Sequence, residues 1–146
     1  MSSLVVREGD SILPQTAVSA PGMAGLIVPR PVQVPGSAGF RIEGHIACVP
    51  EDIEKLVVPG IGYSAGVFTG GFGEIRFQVP GHNRARYART RSGTEVVVDG
   101  GLLDLTFKPT ERATNPSGVE DLTPQYTGKA QLICVRGRPV TAGAGA

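Results

Sequence analysis

The sequence predicts an all-β domain, compact and cone-like or barrel-like, in which several short β-hairpins are joined by Gly/Pro-rich loops and at most one short helix forms. Three observations predict it. The chain is densely punctuated, with 21 Gly and 12 Pro in 146 residues. Such punctuation leaves no room for long helices, since Pro lacks the backbone donor and Gly is entropically costly inside regular structure. The runs in between are short and rich in Val and Ile, which suit a pleated, half-buried surface. Finally, one unit recurs: an apolar run, one or two polar residues, Gly, and a second strand-like run.

The unit occurs at residues 4–12, turning at Gly9, and at 40–49, turning at Gly44. It returns at 96–105, turning at Gly100, and at 132–140, turning at Gly137. Each reads as a β-hairpin whose Gly supplies the positive φ of a tight turn. Asp99-Gly100 is the strongest of these turn signals.

The segments between the units read in order as follows. Residues 13–39 hold Pro14, Pro21, Pro29, Pro31 and Pro35 and are expected to be irregular. Within them, 26–28 and 32–34 are candidate edge strands, where Pro is tolerated. Residues 50–56 are the one helix expected: Pro50, Glu51 and Asp52 suit a first turn, and Pro59-Gly60 ends it. Residues 60–73 include six glycines. They lack the following helix and the Lys-Ser/Thr of a phosphate loop, so they read as a tight loop packed on its aromatics. Residues 74–79 alternate polar and apolar, the mark of a half-buried strand. Residues 108–128 read as a long surface loop. One domain over 1–140 is expected, with 141–146 as a flexible tail that has no core-forming residue.

Composition narrows the function classes. Hydrophobic residues are 40% and charged residues only 18%, against about 25% charged in an average soluble domain. The low charge implies a surface partly covered by a partner. The formal net charge of +1 offers no general attraction for nucleic acid. Arg84, Arg86, Arg89 and Arg91 around Tyr87 are the one charge cluster; a phosphate stripe competes there with a solvated face or a protein-contact rim, and the latter two are the readings preferred. No basic segment followed by an apolar run opens the chain, so no signal peptide is expected and assembly would be cytoplasmic. No run approaches the roughly 18 apolar residues of a membrane-spanning helix.

Candidate chemistry is sparse. A Ser-His-Asp or Cys-His site must use His45 or His82, the two histidines present, and the chain is not read as an enzyme. Asp10, Asp99 and Asp104, with the histidines, are the residues left for a site completed between subunits. His45, Cys48, His82 and Cys134 are four side chains of zinc-ligating type, the number a closed structural site needs. His45 and Cys48 are three apart, which on a regular strand places them on opposite faces. Buried thiols and surface histidines are the simpler account.

Residues 7–12, 40–48 and 133–140 carry a resemblance. A strand entering Gly and a second strand leaving it, repeated between Pro/Gly-rich loops, resembles the PAAR and PAAR-like proteins that cap the trimeric spike of contractile injection systems, including type VI secretion and phage-like tails. The Pro-Ala-Ala-Arg tetrapeptide itself is absent, with Gly137-Arg138-Pro139-Val140 in the comparable place. The resemblance implies a structural tip that sharpens a spike and helps puncture the target envelope. Its implied partner is a trimeric spike protein, met through exposed strand edges and few charges. Effector proteins would be carried as separate chains, contact with the target envelope would be transient, and the tip would end as part of a secreted or injected particle. The family's tip zinc, held by histidines with a cysteine, would have to use a mixed set such as His45, His82 and a cysteine. Another phage or virion structural module that self-assembles shares the same composition and is the alternative.

Overall fold

The computed structural model describes residues 4–42, 44–86 and 95–134. Among them, in chain order, are β1 (Ser11–Ala20), β2 (Met23–Ile27), β3 (Val32–Gln33), β4 (Arg41–Ile42), β5 (His45–Ile46) and α1 (Pro50–Glu54). These are followed by β6 (Val57–Ala65), β7 (Phe68–Gln78), a 3₁₀ turn (Gly81–Asn83), β8 (Arg84–Arg86), β9 (Glu95–Val97), β10 (Leu103–Glu111) and β11 (Tyr126–Ile133). The fold is all-β with one short helix, as the sequence predicts.

The alternation that makes a two-faced strand is clearest in β10 and β7. Leu103, Leu105 and Phe107 are buried while Asp104, Thr106 and Lys108 point outward. Gly71, Gly73, Ile75 and Phe77 face inward from β7, with Glu74 and Arg76 between them. Strands of this kind need a second apolar layer, and here they find it by closing on themselves. The order runs β1–β2–β6–β7–β10–β11, and β11 pairs back onto β1. All six contacts are antiparallel. The result is a six-stranded up-and-down barrel, narrow enough for side chains to fill.

Three consecutive hairpins therefore stand around one axis: β1–β2, β6–β7 and β10–β11. Their connections, at residues 21–22, 66–67 and 112–125, all lie at the same end, because Leu26 pairs with Ser64, Phe72 with Glu111 and Ser19 with Thr127. The opposite end receives the chain before β1 and the excursions between β2 and β6 and between β7 and β10. These form a lobe. Residues 4–7 thread between 46–48 and 97–99, with Val6 N to Val97 O at 2.8 Å and Cys48 N to Val6 O at 2.9 Å. The helix α1 packs beside them through buried Ile53. Asp52 accepts hydrogen bonds from the Val49 amide at 3.0 Å and the Ser37 hydroxyl at 2.6 Å.

Several expectations are corrected by this topology. Residues 60–73 are the β6–β7 hairpin, not a loop. The aromatic packing expected of them is present, because the inward glycines make room for rings. A Cβ on Gly71 would sit 2.3 Å from Tyr63 Cε1, and one on Gly73 would sit 2.5 Å from Phe107 Cζ. Residues 13–39 are largely regular, forming β1 and β2; β2 lies inside the closed ring rather than at an edge, and only β3 sits beside β1 as a short extra strand. The surface loop expected at 108–128 begins only after Glu111, since β10 continues through Pro109. Pro59-Gly60 forms a bulge within β6, where the register slips between Val58 and Ile61.

Of the four glycine units, 40–49 is a hairpin, with Gly44 at φ 83° between β4 and β5. At Gly9 (φ 92°) the turn is present, with Asp10 N on Arg7 O, but its two arms pair with different partners. After β9 the positive φ falls on Gly101 rather than Gly100, and β9 pairs with β8 while β10 pairs with β7 and β11. Both are corners between layers, not hairpins. The unit at Gly137, and the tail 141–146, lie outside the described residues.

Gly71→Ala is expected to cost about 1–3 kcal/mol through overpacking against Tyr63 and the Ala113 amide. Gly62→Ala, whose added Cβ would meet nothing nearer than 3.6 Å, should be close to neutral. Urea denaturation of both variants checks the pair.

Candidate functional site

The most organised polar cluster closes the hairpin end. The connection at 112–125 folds back over the barrel mouth, and Thr114 bridges both Thr69 and Glu120. At its centre Asp121 is almost fully buried. Tyr126 Oη donates to its Oδ2 at 2.5 Å and Tyr63 Oη at 3.1 Å. The Thr123 amide donates to Oδ1 at 3.0 Å, an Asx turn. Tyr63 Oη in turn accepts the Ala113 amide at 3.0 Å, and Asp121 N donates to Ala113 O at 2.8 Å. Arg112 Nη1 donates to the Asp121 carbonyl at 2.8 Å. The rings of Tyr63, Phe107 and Tyr126 stack in tilted contacts with centroids 5.0–6.4 Å apart.

Burial alone would raise the Asp121 pKa, but hydrogen bonds from Tyr126, Thr123 and Tyr63 outweigh it and hold the carboxyl below its ordinary value. Burial, and then the hydrogen bond to Asp121, push the Tyr126 phenol up to about 12. Tyr63 is raised as well, first by burial and also by Asp121, against the lowering effect of the Ala113 amide. The cluster is a neutral-tyrosine, charged-aspartate clamp: every group is engaged in holding the loop. The sequence signal for it is modest, an Asp two residues before Thr; its burial is not visible in one dimension.

The zinc-type residues do not gather. His45 is exposed in the β4–β5 hairpin. His82 Nε2 lies 2.9 Å from Leu102 O, which can only accept, so Nε2 carries the hydrogen. Cys48 is buried with its Sγ–H on Val49 O at 3.4 Å. Burial raises that thiol's pKa, and the nearby Asp52 and Asp10 carboxylates raise it further, which opposes the thiolate a metal requires. Cys134 is half-buried against the core. Among the described residues, no group of three or more His, Cys, Asp and Glu is placed to hold a metal. The set His45, Cys48, His82 and Cys134 therefore does not fit one ion.

The arginine cluster is also partly spent. The Arg84 guanidinium contacts Glu54 Oε2 and Glu95 Oε1, each at 3.1 Å, and donates to Val79 O at 2.9 Å. It pins α1 to β8–β9. Arg89, Arg91 and Tyr87 fall outside the described residues. Gly62-Tyr63-Ser64-Ala65-Gly66 spells the Gly-x-Ser-x-Gly spacing of a nucleophile elbow, but it lies along β6, with Ser64 paired to Leu26, not at a strand-to-helix turn. The outer-face groove it lines, about 1020 Å³, has Asp104 and Lys129 on another wall and no histidine. Those two charges are ion-paired with each other.

A closed β-barrel whose described polar clusters serve as clamps defines a structural module. The chain belongs to a family described as contractile injection system spike tip proteins, whose profile matches residues 1–143. A search among curated proteins finds no match. Membership establishes a structural tip role within such a particle. No helix among the described residues is long and apolar enough to cross a membrane.

Asp121→Asn should destabilise the fold by about 1.5–3 kcal/mol, the scale of a buried hydrogen bond to a charged group. The depressed Asp121 pKa means its contribution is fully present above the ordinary carboxylate value of 3.8 and is lost as pH falls through the lower folded value. The raised Tyr126 pKa means its contribution is fully present below pH 10 and is lost as pH rises through about 12. Urea midpoints measured across acid and alkaline series test both signs; in Asp121→Asn the acid-side slope from this carboxyl disappears. For the metal, elemental analysis should give well under one zinc per chain; one zinc per chain, lost in His82→Ala, would contradict the placement of these residues.

Proposed function

We propose that this chain caps the distal end of a trimeric spike and leads it through the target envelope without performing chemistry. The observation that carries the reading is the three-hairpin ring, taken with the family membership. A single chain seated coaxially on a trimer meets three subunits, and three hairpins around one axis match that number. The use of Asp121, Asp52 and Arg84 as internal clamps supports a rigid, non-catalytic body. Rigidity suits a part that transmits force along an axis, since a closed barrel has no free edge to peel. Any effector would be carried as a separate chain, and contact with the envelope would last only for the passage.

Co-purification with the spike protein of the same apparatus should give a complex of one tip to three spike chains by native mass measurement. A stable homotrimer of this chain that ignores the spike would overturn the reading.

A further inference from the structure

The two barrel ends differ in chemistry. The three connections of the hairpin end contain only Arg112, Glu120 and Asp121 as charged residues. Asp121 is buried, and Arg112 is turned onto the carbonyls of Asp121 and Thr123. The same connections expose large apolar side chains: Leu122 is 77% exposed, Val67 64% and Val119 56%. The lobe at the other end carries Arg30, Arg41, Glu51, Glu54, Lys55 and Arg84 among its charges.

We infer that the hairpin end is the docking face, with Leu122, Val119 and Val67 as its apolar anchors for a largely apolar, threefold surface at the distal end of the spike. The inference rests on the tip reading above and names the surface that performs it.

Three arguments support it. The backbone that carries Leu122 and Val119 is held by hydrogen bonds. Leu122 directly follows the clamped Asp121, and Val119 N is bonded to Asn115 Oδ1 while Val119 O accepts the Asn115 amide, both at 2.9 Å. An apolar group carried on a backbone fixed by hydrogen bonds is pre-organised for burial, so less ordering entropy is lost on binding. Glu120, between Val119 and Leu122, is the one charged side chain left exposed on the three connections, so the face favours a largely apolar partner surface with few charges to desolvate. The geometry is ring-like: the tips at 21–22, 66–67 and 112–125 surround the barrel axis, and the anchors stand on the second and third of them.

The test measures binding to the purified trimeric spike protein of the same apparatus. Leu122→Asp and Val67→Asp should each weaken binding about tenfold or more, as expected for central interface anchors. Leu122→Ala should weaken it less. Val57→Asp, on the outer face of β6 toward the lobe, should bind like the unmodified chain. Thermal melting confirms that all the variants are folded. Rim variants that bind as tightly as the unmodified chain would overturn the assignment of the docking face alone. An unmodified chain that does not bind the spike would overturn the tip reading, and the docking face with it. A homodimer seen by light scattering and dissolved by Leu122→Asp would assign the rim to a second copy of this chain and overturn the proposal.

Discussion

The pairing of β11 with β1 is the constraint on which the rest depends. It joins strands from opposite ends of the described chain, with Ile12 opposite Leu132 and Ser19 opposite Thr127. Without it the six strands would be an open sheet with two bare edges. The seam is not a simple ladder. Its register slips between Pro14 and Val18, just after a prolyl residue that cannot donate to the ladder. Gly128 completes the fit, since a Cβ there would press to 3.0 Å on Val18 Cγ1 and 3.2 Å on Ala17 O. Local bulge and missing side chain together let the ring close at a small radius.

Closure changes how such a protein can meet a partner. Strand addition at an exposed edge, the mode its resemblance suggests, is largely removed once the barrel is sealed. What remains available is an end or a face. Part of the hydrogen-bonding capacity of the ends is used internally, at one end by Asp121 and its tyrosines and at the other by Arg84 with Glu54 and Glu95.

Much of the fold is legible in the residues, for a definite reason. The alternation in 74–79, the β4–β5 hairpin at Gly44 and the start of α1 at Pro50 are all set by contacts within a few residues. Residues 60–73 are misread because glycine is ambiguous. The same residue that marks a turn also marks a strand position where a ring must lie against the backbone, as Tyr63 does over Gly71. Only the neighbour decides between them, and for Gly73 that neighbour, Phe107, is distant in sequence. The zinc-type set is not gathered among the described residues, since its members are distributed among a hairpin, a buried strand-like segment, a 3₁₀ turn and the end of β11.

The turn glycines are where the two levels part. By itself, the sequence determined that the chain reverses near Gly9, Gly44 and Asp99, that it is all-β, and that no long helix forms, because turn chemistry and strand propensity act over a few residues. Tertiary structure alone decided which reversal is a hairpin and which is a corner, because strand pairing is won by burial across the whole core. It also decided that Asp121, an ordinary loop aspartate in the sequence, becomes a buried clamp. That follows from Tyr63 and Tyr126 arriving on different hairpins, which only the closed ring brings together.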